Sequence, residues 1–563
     1  MDPFVEAEKL DPAVPFRAVA DHIHHTWALT FHSHPELLIR PRNTEEIRKI
    51  VNLARRCRRR IVVVGCGHSP SDLTCTSSWA VNLDHFNRML SVDKNTNTAV
   101  LESGIHLHEI GKELANVGLG MPNLGSIDHQ SIAGAIGTGT HGSSLRHGLI
   151  SQSVVGLKIM LADGTEVSCS KGQNEDLFRA ALLSLGVLGI ITEVTFQAVP
   201  HFNIEWNQSL QPLDKILSDW ETNLWTESEY VRVWWLPYLK KAVLWKADKT
   251  TAPMRPPKFN WYGGNVGFHT YHILLYISTW IPSLLPTVEW FVFGMQYGFK
   301  DNTGTSAVED GHSGLMMDCL FSQFVDEWAI PLSKGPEAIS RISTWLHGDQ
   351  DQTSGIPFDP RGLYVHSPIE VRVSDPSRFA ASSPQPYLDI SVPDGPTLYL
   401  NFTLYRPFHT DPPGLARYYE AVEWLMKSLG GRPHWAKNFA TVSKRDIHAM
   451  YPDTLPAFLA VRDAVDPDGM FVGAWHRRTI LPDLDALPPL PLEEREKRRF
   501  AAGARAGGGV NWLGESAVGD VAAAPVADPD AFDRHREQAA RAEAHIRDVG
   551  REEKFSTAQG LFA

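Results

Sequence analysis

Apolar positions along the chain change their spacing from segment to segment, and each spacing predicts an element. Over 41–59, Ile47, Ile50, Val51 and Leu53 recur at helical intervals behind Asn43 and Thr44, either of which can cap a first turn. The continuous apolar run 61–64 stops at Gly65, which predicts a buried strand running into a tight turn. Further strands are predicted at 99–103, at 155–161 before the Asp163-Gly164 turn, and at 189–199, where Val194, Phe196 and Ala198 alternate with other residues. Helices are predicted at 108–117 and 177–183. Together these elements predict an α+β unit over 33–200, preceded by an N-terminal arm at 1–32.

Downstream, 230–235, 369–373 and 397–404 are strand-like, and 411–429 has an amphipathic helical pattern. A second α+β domain is therefore expected over 201–430, closed by a segment at 431–482. Pro, Ala, Gly and Arg then take over. The stretch 483–563 is predicted to be a low-complexity linker followed by an exposed, charge-laced helix near 530–554. The strongly apolar run 273–294 is interrupted by Pro282, Pro286 and Glu289. Those interruptions favour a hairpin, buried or lying on a membrane surface, over a spanning helix.

Length and charge narrow the function. A chain of 563 residues exceeds one compact core. The net charge of −12 argues against nucleic acid as a partner. The one dense basic run, 55–60, closes the first predicted helix, where cations suit the dipole. Five cysteines at irregular spacing point to reduced thiols and an intracellular compartment rather than a disulfide framework. The first residues show no basic segment followed by an apolar run, so no secretory signal is expected. His22, His24, His25 and the pair His106/His108 lack a metal-ligand spacing, so no metal is expected.

Three small-residue segments carry candidate chemistry. Gly65-Cys66-Gly67-His68-Ser69-Pro70-Ser71-Asp72 follows the strand at 61–64. Its glycines admit a phosphate close to the backbone and its hydroxyls add donors, although Pro70 stands where a Rossmann loop has its third glycine. Next come Gly125-Ser126 and then Ser131-Ile132-Ala133-Gly134-Ala135-Ile136-Gly137-Thr138-Gly139-Thr140-His141-Gly142. That density of small and hydroxylic residues suits a large polar ligand such as a pyrophosphate. Gly186-Val187-Leu188-Gly189-Ile190 could lay backbone against a flat ring, or simply turn into a strand. Further on, Glu370 and Arg372 sit two apart on a predicted strand, so both face one side, where they could grip hydroxyls or form an ordinary ion pair.

The trio of segments resembles the FAD-binding domain of the vanillyl-alcohol-oxidase (PCMH-type) family. The Gly65–Asp72 motif, the Glu370/Arg372 pair, Phe402-Thr403 and Arg432-Pro433-His434-Trp435-Ala436-Lys437 resemble the aldonolactone oxidase branch of that family. The match runs over roughly residues 25–480. The resemblance implies an α+β fold: a two-subdomain FAD-binding domain plus a cap domain built on a large antiparallel sheet. It implies FAD bound covalently through His68, with Gly65, Gly67, Ser69, Ser71, Ser126, Ser131, Gly134, Gly137, Thr138, Thr140, His141, Gly142 and Ile190 around it. It also implies that Glu370, Arg372, Thr403 and Lys437 line a sugar-lactone site. Gly125 would leave room for O2 beside the flavin; a glycine required by backbone geometry is the plainer alternative. The implied reaction is oxidation of an aldono-1,4-lactone, D-arabinono-1,4-lactone above all, to an ascorbate-type enediol, with O2 reduced to H2O2. Together with the apolar run 273–294, the resemblance also implies association with a mitochondrial or other intracellular membrane. A lactone dehydrogenase with a protein electron acceptor, a sugar-alcohol oxidase, and a non-catalytic flavin-fold scaffold are the alternatives.

Overall fold

The computed structural model describes residues 2–482 apart from 258, 318, 349–353, 367, 380–383 and 394. The predicted linker and tail helix lie outside the described residues. The helix expected over 41–59 runs Thr44–Cys57, because Asn43 takes extended backbone and caps it, accepting the Glu46 N–H at 2.9 Å. Arg58 enters the left-handed region (φ 55°) and ends it. Its fully buried Ile47, Val51 and Leu53 pack on a four-stranded sheet, each contributing about 1.5–3 kcal/mol relative to exposure. The sheet order is Ala18–Val19, Leu37–Ile39, Trp79–Asn82, Ile61–Val64, the last three parallel.

A second sheet has five antiparallel strands in the order Glu166–Ser170, Val154–Met160, Ile190–Gln197, Thr98–Glu102, Met89–Asp93. The N-terminal arm is part of this body. Helix Pro3–Leu10 puts Ala7 into the same core as Ile47, and Glu6 pairs with Lys9 and Arg56. Further along, the Trp27 N–H donates to Gly67 O at 2.8 Å.

Residues 203–433 build an eight-stranded antiparallel sheet. From edge to edge it runs Gly304–Asp310, Asn203–Pro212, Lys241–Thr250, Tyr230–Leu236, Ile369–Ser374, Thr397–Tyr405, Gln323–Pro331, Arg432–Pro433. Alternation divides its faces. Val371, Val373, Leu398, Leu400, Phe402, Trp328 and Ile330 point one way and pack against the helices Gly335–His347 and Leu415–Ser428. The opposite face carries Glu370, Arg372, Tyr399, Asn401 and Glu327 toward the first two sheets. The segment after the glycine-rich loop docks there: the Ser144 N–H donates to Val373 O at 2.8 Å.

The apolar run 273–294 forms a helical hairpin, Asn265–Trp280 and Leu285–Tyr297, broken by the turn Pro282–Leu284. Leu275, Val288, Val292 and Phe293 face inward. Glu289 is buried too, and accepts the Leu239 N–H at 3.0 Å, which accounts for a charge in so apolar a segment. Ile273, Ile277, Ile281, Trp280 (73% exposed) and Trp290 (51%) face outward. Among the described residues no helix is long and apolar enough to cross a membrane.

Candidate active site

The first two sheets supply the walls of one cleft enclosing about 930 Å³ of space, open mouth included. Val62 and Val63 line it from one sheet, and Gly189 and Ile191 from the other. Gly65, Gly67, His68, Ser69, Ser131, Gly134, Gly137 and Thr138 all line it as well. Ser131 caps the short helix Ile132–Gly137, accepting the Gly134 N–H at 3.3 Å, and Thr138 Oγ1 donates to Gly134 O at 3.0 Å. Gly65 must be glycine to pass this cap: a Cβ there would stand 2.1 Å from Ser131 Oγ.

His68 is flanked by Trp27, stacked at 5.1 Å between ring centroids, and by His129 at 6.0 Å. Desolvation, joined by His129 and His106, holds its imidazole down at about 3, so the ring is neutral and nucleophilic. His68 Nδ1 and Gln130 Oε1 are buried on the cavity wall without a hydrogen-bond partner among the described residues. Volume, glycine lining and these unpartnered polar atoms fit a dinucleotide carrying a flat ring, as FAD does.

Not every predicted cofactor residue faces this cleft. Ile190 is fully buried in the core beneath it, because the strand's alternation sends Gly189 and Ile191 to the cavity side. Ser71 is buried at the start of the turn Asp72–Thr74. Thr140 packs its methyl against Gly125, where an added Cβ would approach it to 3.0 Å. Gly142 passes under Asn123 and Leu124 O, which a Cβ would meet at 2.0 and 2.6 Å. His141 belongs to a second group of residues.

That group stands on the polar face of the large sheet. Strand register puts Glu370, Asn401 and Glu327 side by side, and Arg372 beside Tyr399 in the next row. Ser126 ties this face to the glycine-rich segment: its hydroxyl donates to Glu370 Oε1 at 3.2 Å and accepts from Arg372 Nη1 at 3.3 Å. Arg372 Nε lies 3.4 Å from Glu370 Oε2, and its Nη2 bonds Glu327. Fully buried Glu327 also has His141 Nε2 at 3.2 Å and Lys437 Nζ at 3.7 Å. Desolvation works to raise the Glu327 carboxyl, yet Arg372, His141 and Lys437 outweigh it and hold it well below the usual carboxylate range. His141 stacks on Tyr399 at 3.6 Å.

Lys437 reaches this place through a turn in which its N–H donates to His434 O at 3.0 Å, while the His434 N–H donates to Glu327 O at 2.8 Å. The next residue, Asn438, donates to Pro70 O at 2.9 Å, so the Arg432–Lys437 motif is anchored to the His68 loop. Thr403 borders the group without joining it. Its hydroxyl donates to Asn401 Oδ1 at 2.8 Å.

Glu327 and Trp27 escaped the sequence reasoning. Asp326-Glu327 inside the apolar run Phe324–Ile330 was the available signal, since adjacent acids on a buried strand demand partners. Nothing local marks Trp27.

Comparisons with known proteins place the chain. The FAD binding domain model matches residues 35–170, and the D-arabinono-1,4-lactone oxidase model matches 194–479. A putative D-arabinono-1,4-lactone oxidase of Neurospora crassa is 50% identical, over 90% of this chain and 95% of that protein. The D-arabinono-1,4-lactone oxidases of Yarrowia lipolytica (40%, covering 80% and 95%) and Candida albicans (37%, covering 81% and 96%) are also similar. Cholesterol oxidase from Brevibacterium sterolicum superposes with a TM-score of 0.69 at 16% identity, over 84% of this chain and 99% of that one, which shows a shared fold. By sequence, the chain belongs to the D-arabinono-1,4-lactone oxidase family.

Proposed function

We propose that this protein is an FAD-dependent oxidase of D-arabinono-1,4-lactone or a close aldono-1,4-lactone, yielding the ascorbate-type enediol lactone and passing electrons to O2 to give H2O2. The observation that carries this reading is the Ser126–Glu370–Arg372 link. It ties a carboxylate and a guanidinium to the segment that goes on, through Gln130 and Ser131, to line a cleft that fits FAD. Glu370 accepts and Arg372 donates, so the pair can hold adjacent hydroxyls of a polyol ring in one orientation. Lys437 adds a cation for the ring and carbonyl oxygens. Bound FAD supplies the two-electron acceptor. The neutral, stacked His68 ring supports a covalent bond to the cofactor there, and the lack of a side chain at Gly125, beside Thr140, supports a path for O2.

Acid precipitation tests the attachment. Flavin absorbance should stay in the wild-type pellet and be released from His68→Ala. Full release from wild type would make His68 an ordinary binding residue. Anaerobic D-arabinono-1,4-lactone should then bleach the flavin and an alditol should not; bleaching by the alditol alone would sink the lactone reading. Oxygen uptake, rather than cytochrome c reduction, should accompany turnover.

The outward face of the 265–297 hairpin supports a peripheral seat on a membrane surface, as a mitochondrial location would require. Trp280, Ile281 and Trp290 present an amphipathic edge of the kind that enters the headgroup layer. Replacing Trp280 and Ile281 with Ser should lower cosedimentation with phosphatidylcholine/cardiolipin vesicles at least about tenfold, since each buried methylene group contributes about 0.8 kcal/mol. Lactone turnover in solution should be retained. Unchanged cosedimentation would exclude the hairpin.

A further inference from the structure

A second cluster of titratable side chains lies outside both groups described above. His108 occupies the first turn of the helix Leu107–Asn116, and Asp128 and His129 lie on the loop between Ser126 and Ser131. Backbone pairing stitches the two together: the His108 N–H donates to Asp128 O at 3.0 Å and the Leu107 N–H to Gln130 O at 2.9 Å. One ligand atom from each of His108, Asp128 and His129 lies within 4.8 Å of the others, and all three residues are half-buried. His108 Nδ1 sits 3.3 Å from the Asp128 carbonyl, a bond that places the proton on Nδ1 and leaves Nε2 as the lone-pair nitrogen.

Behind the cluster, His312 Nε2 lies 2.8 Å from Asp128 Oδ2. Gly111 makes that approach feasible, because a Cβ there would stand 2.2 Å from His312 Nδ1.

We propose that His108, Asp128 and His129 bind one zinc-class divalent transition-metal ion, with His312 as the positioning residue for the Asp128 carboxylate. Two imidazoles and a carboxylate suit that class, with water completing the shell. Coordination at ~2.0–2.2 Å draws the three donors together by about 1 Å, which side-chain rotation supplies. The ion would pin the helix Leu107–Asn116 to the loop that carries Ser126 at one end and Ser131 at the other. His129 also stacks on His68, so the ion lies one imidazole away from the cofactor cleft. Among the described residues His141, Glu327 and His434 form the other such trio, but Glu327 already faces Arg372 and Lys437, and two fixed cations oppose a third.

No ligand spacing marks His108 in the chain because its partners come from a loop about twenty residues on, brought back by backbone pairing. The test uses the chelator-treated holoenzyme. Zn2+ is titrated calorimetrically and Co2+ is followed by its visible absorption bands. Wild type should bind one equivalent that His108→Ala, His129→Ala and Asp128→Asn each lose, with circular dichroism unchanged in all three and flavin content unchanged in His108→Ala and Asp128→Asn. His312→Ala should weaken Co2+ about 10–100-fold without moving its bands, and His312→Gln, which still donates to Asp128, should recover most of it. The same number of equivalents in wild type and a His108→Ala/His129→Ala double variant would place the metal on other histidines and overturn the proposal. So would no binding to wild type. If one alanine variant fails to fold, Asp128→Asn decides the matter by itself, because it preserves volume.

Discussion

Replacing Glu327 with Ala is expected to cost about 3–5 kcal/mol of folding stability, because it leaves a buried guanidinium without its main counter-charge. That is a large share of the roughly 5–15 kcal/mol by which a typical domain is stable. Glu327 is fully buried among Arg372, His141 and Lys437. Arg372 would then keep one carboxylate, Glu370 at 3.4 Å, beside the neutral acceptors Ser126 Oγ and His141 O, and would swing toward Glu370, disturbing the pair assigned to the substrate hydroxyls. Glu327→Gln preserves volume and one acceptor, so its stability loss should be smaller. Its kcat/KM for lactone should still fall by about 10²-fold or more, since misplacement by an ångström in an oriented site has that effect.

The charge also fixes the direction of the pH dependence. The Glu327 carboxyl is held below its unfolded value, so its contribution is fully present above about pH 4.3 and is lost as pH falls through the lower folded-state pKa. The melting-temperature gap between wild type and Glu327→Gln should therefore close on the acid side. Thermal unfolding at pH 7 and in acid, with steady-state kinetics at matched flavin content, checks both parts. Native melting temperature and native kinetics in Glu327→Gln would remove Glu327 from the site.

How far the sequence revealed this site depends on how each residue gets there. Glu370 and Arg372 were legible because a strand's period of two is local: a single predicted strand puts both on one face. Glu327 was not, because it enters through register. Asn401 pairs with Glu370 on one side and with Glu327 on the other, and no local pattern specifies which strand lies beside which. Trp27 reaches His68 through the N-terminal arm, which adds the strand Ala18–Val19 to the first sheet. Ile190 shows the limit of a motif: the glycine segment was found, but which neighbour faces the cleft depended on strand alternation. The 273–294 hairpin was legible at its proline break, while the partner of Glu289, the Leu239 N–H, comes from a distant loop.

Two glycines three residues apart on the cleft wall should respond in opposite ways to one added methyl group. Gly189 has φ 143°, a region that other residues rarely enter, and a Cβ there would stand 2.4 Å from Met160 O and 3.0 Å from Ile159 Cγ2 on the neighbouring strand. The obstacle is backbone in a five-stranded sheet and cannot rotate away. Gly189→Ala should cost roughly 4 kcal/mol or more, combining strain with overpacking. Low soluble yield or a melting temperature reduced by several degrees would be the readout. Gly186 is also left-handed (φ 77°), but a Cβ there meets nothing within 4 Å. Gly186→Ala should lose only about 1–2 kcal/mol as apoprotein. Because Gly186 lines the cleft, its methyl group would project into the space assigned to the flavin, so FAD uptake should fall out of proportion to stability. Equal flavin loading in Gly186→Ala and wild type would show that the cofactor does not approach this wall.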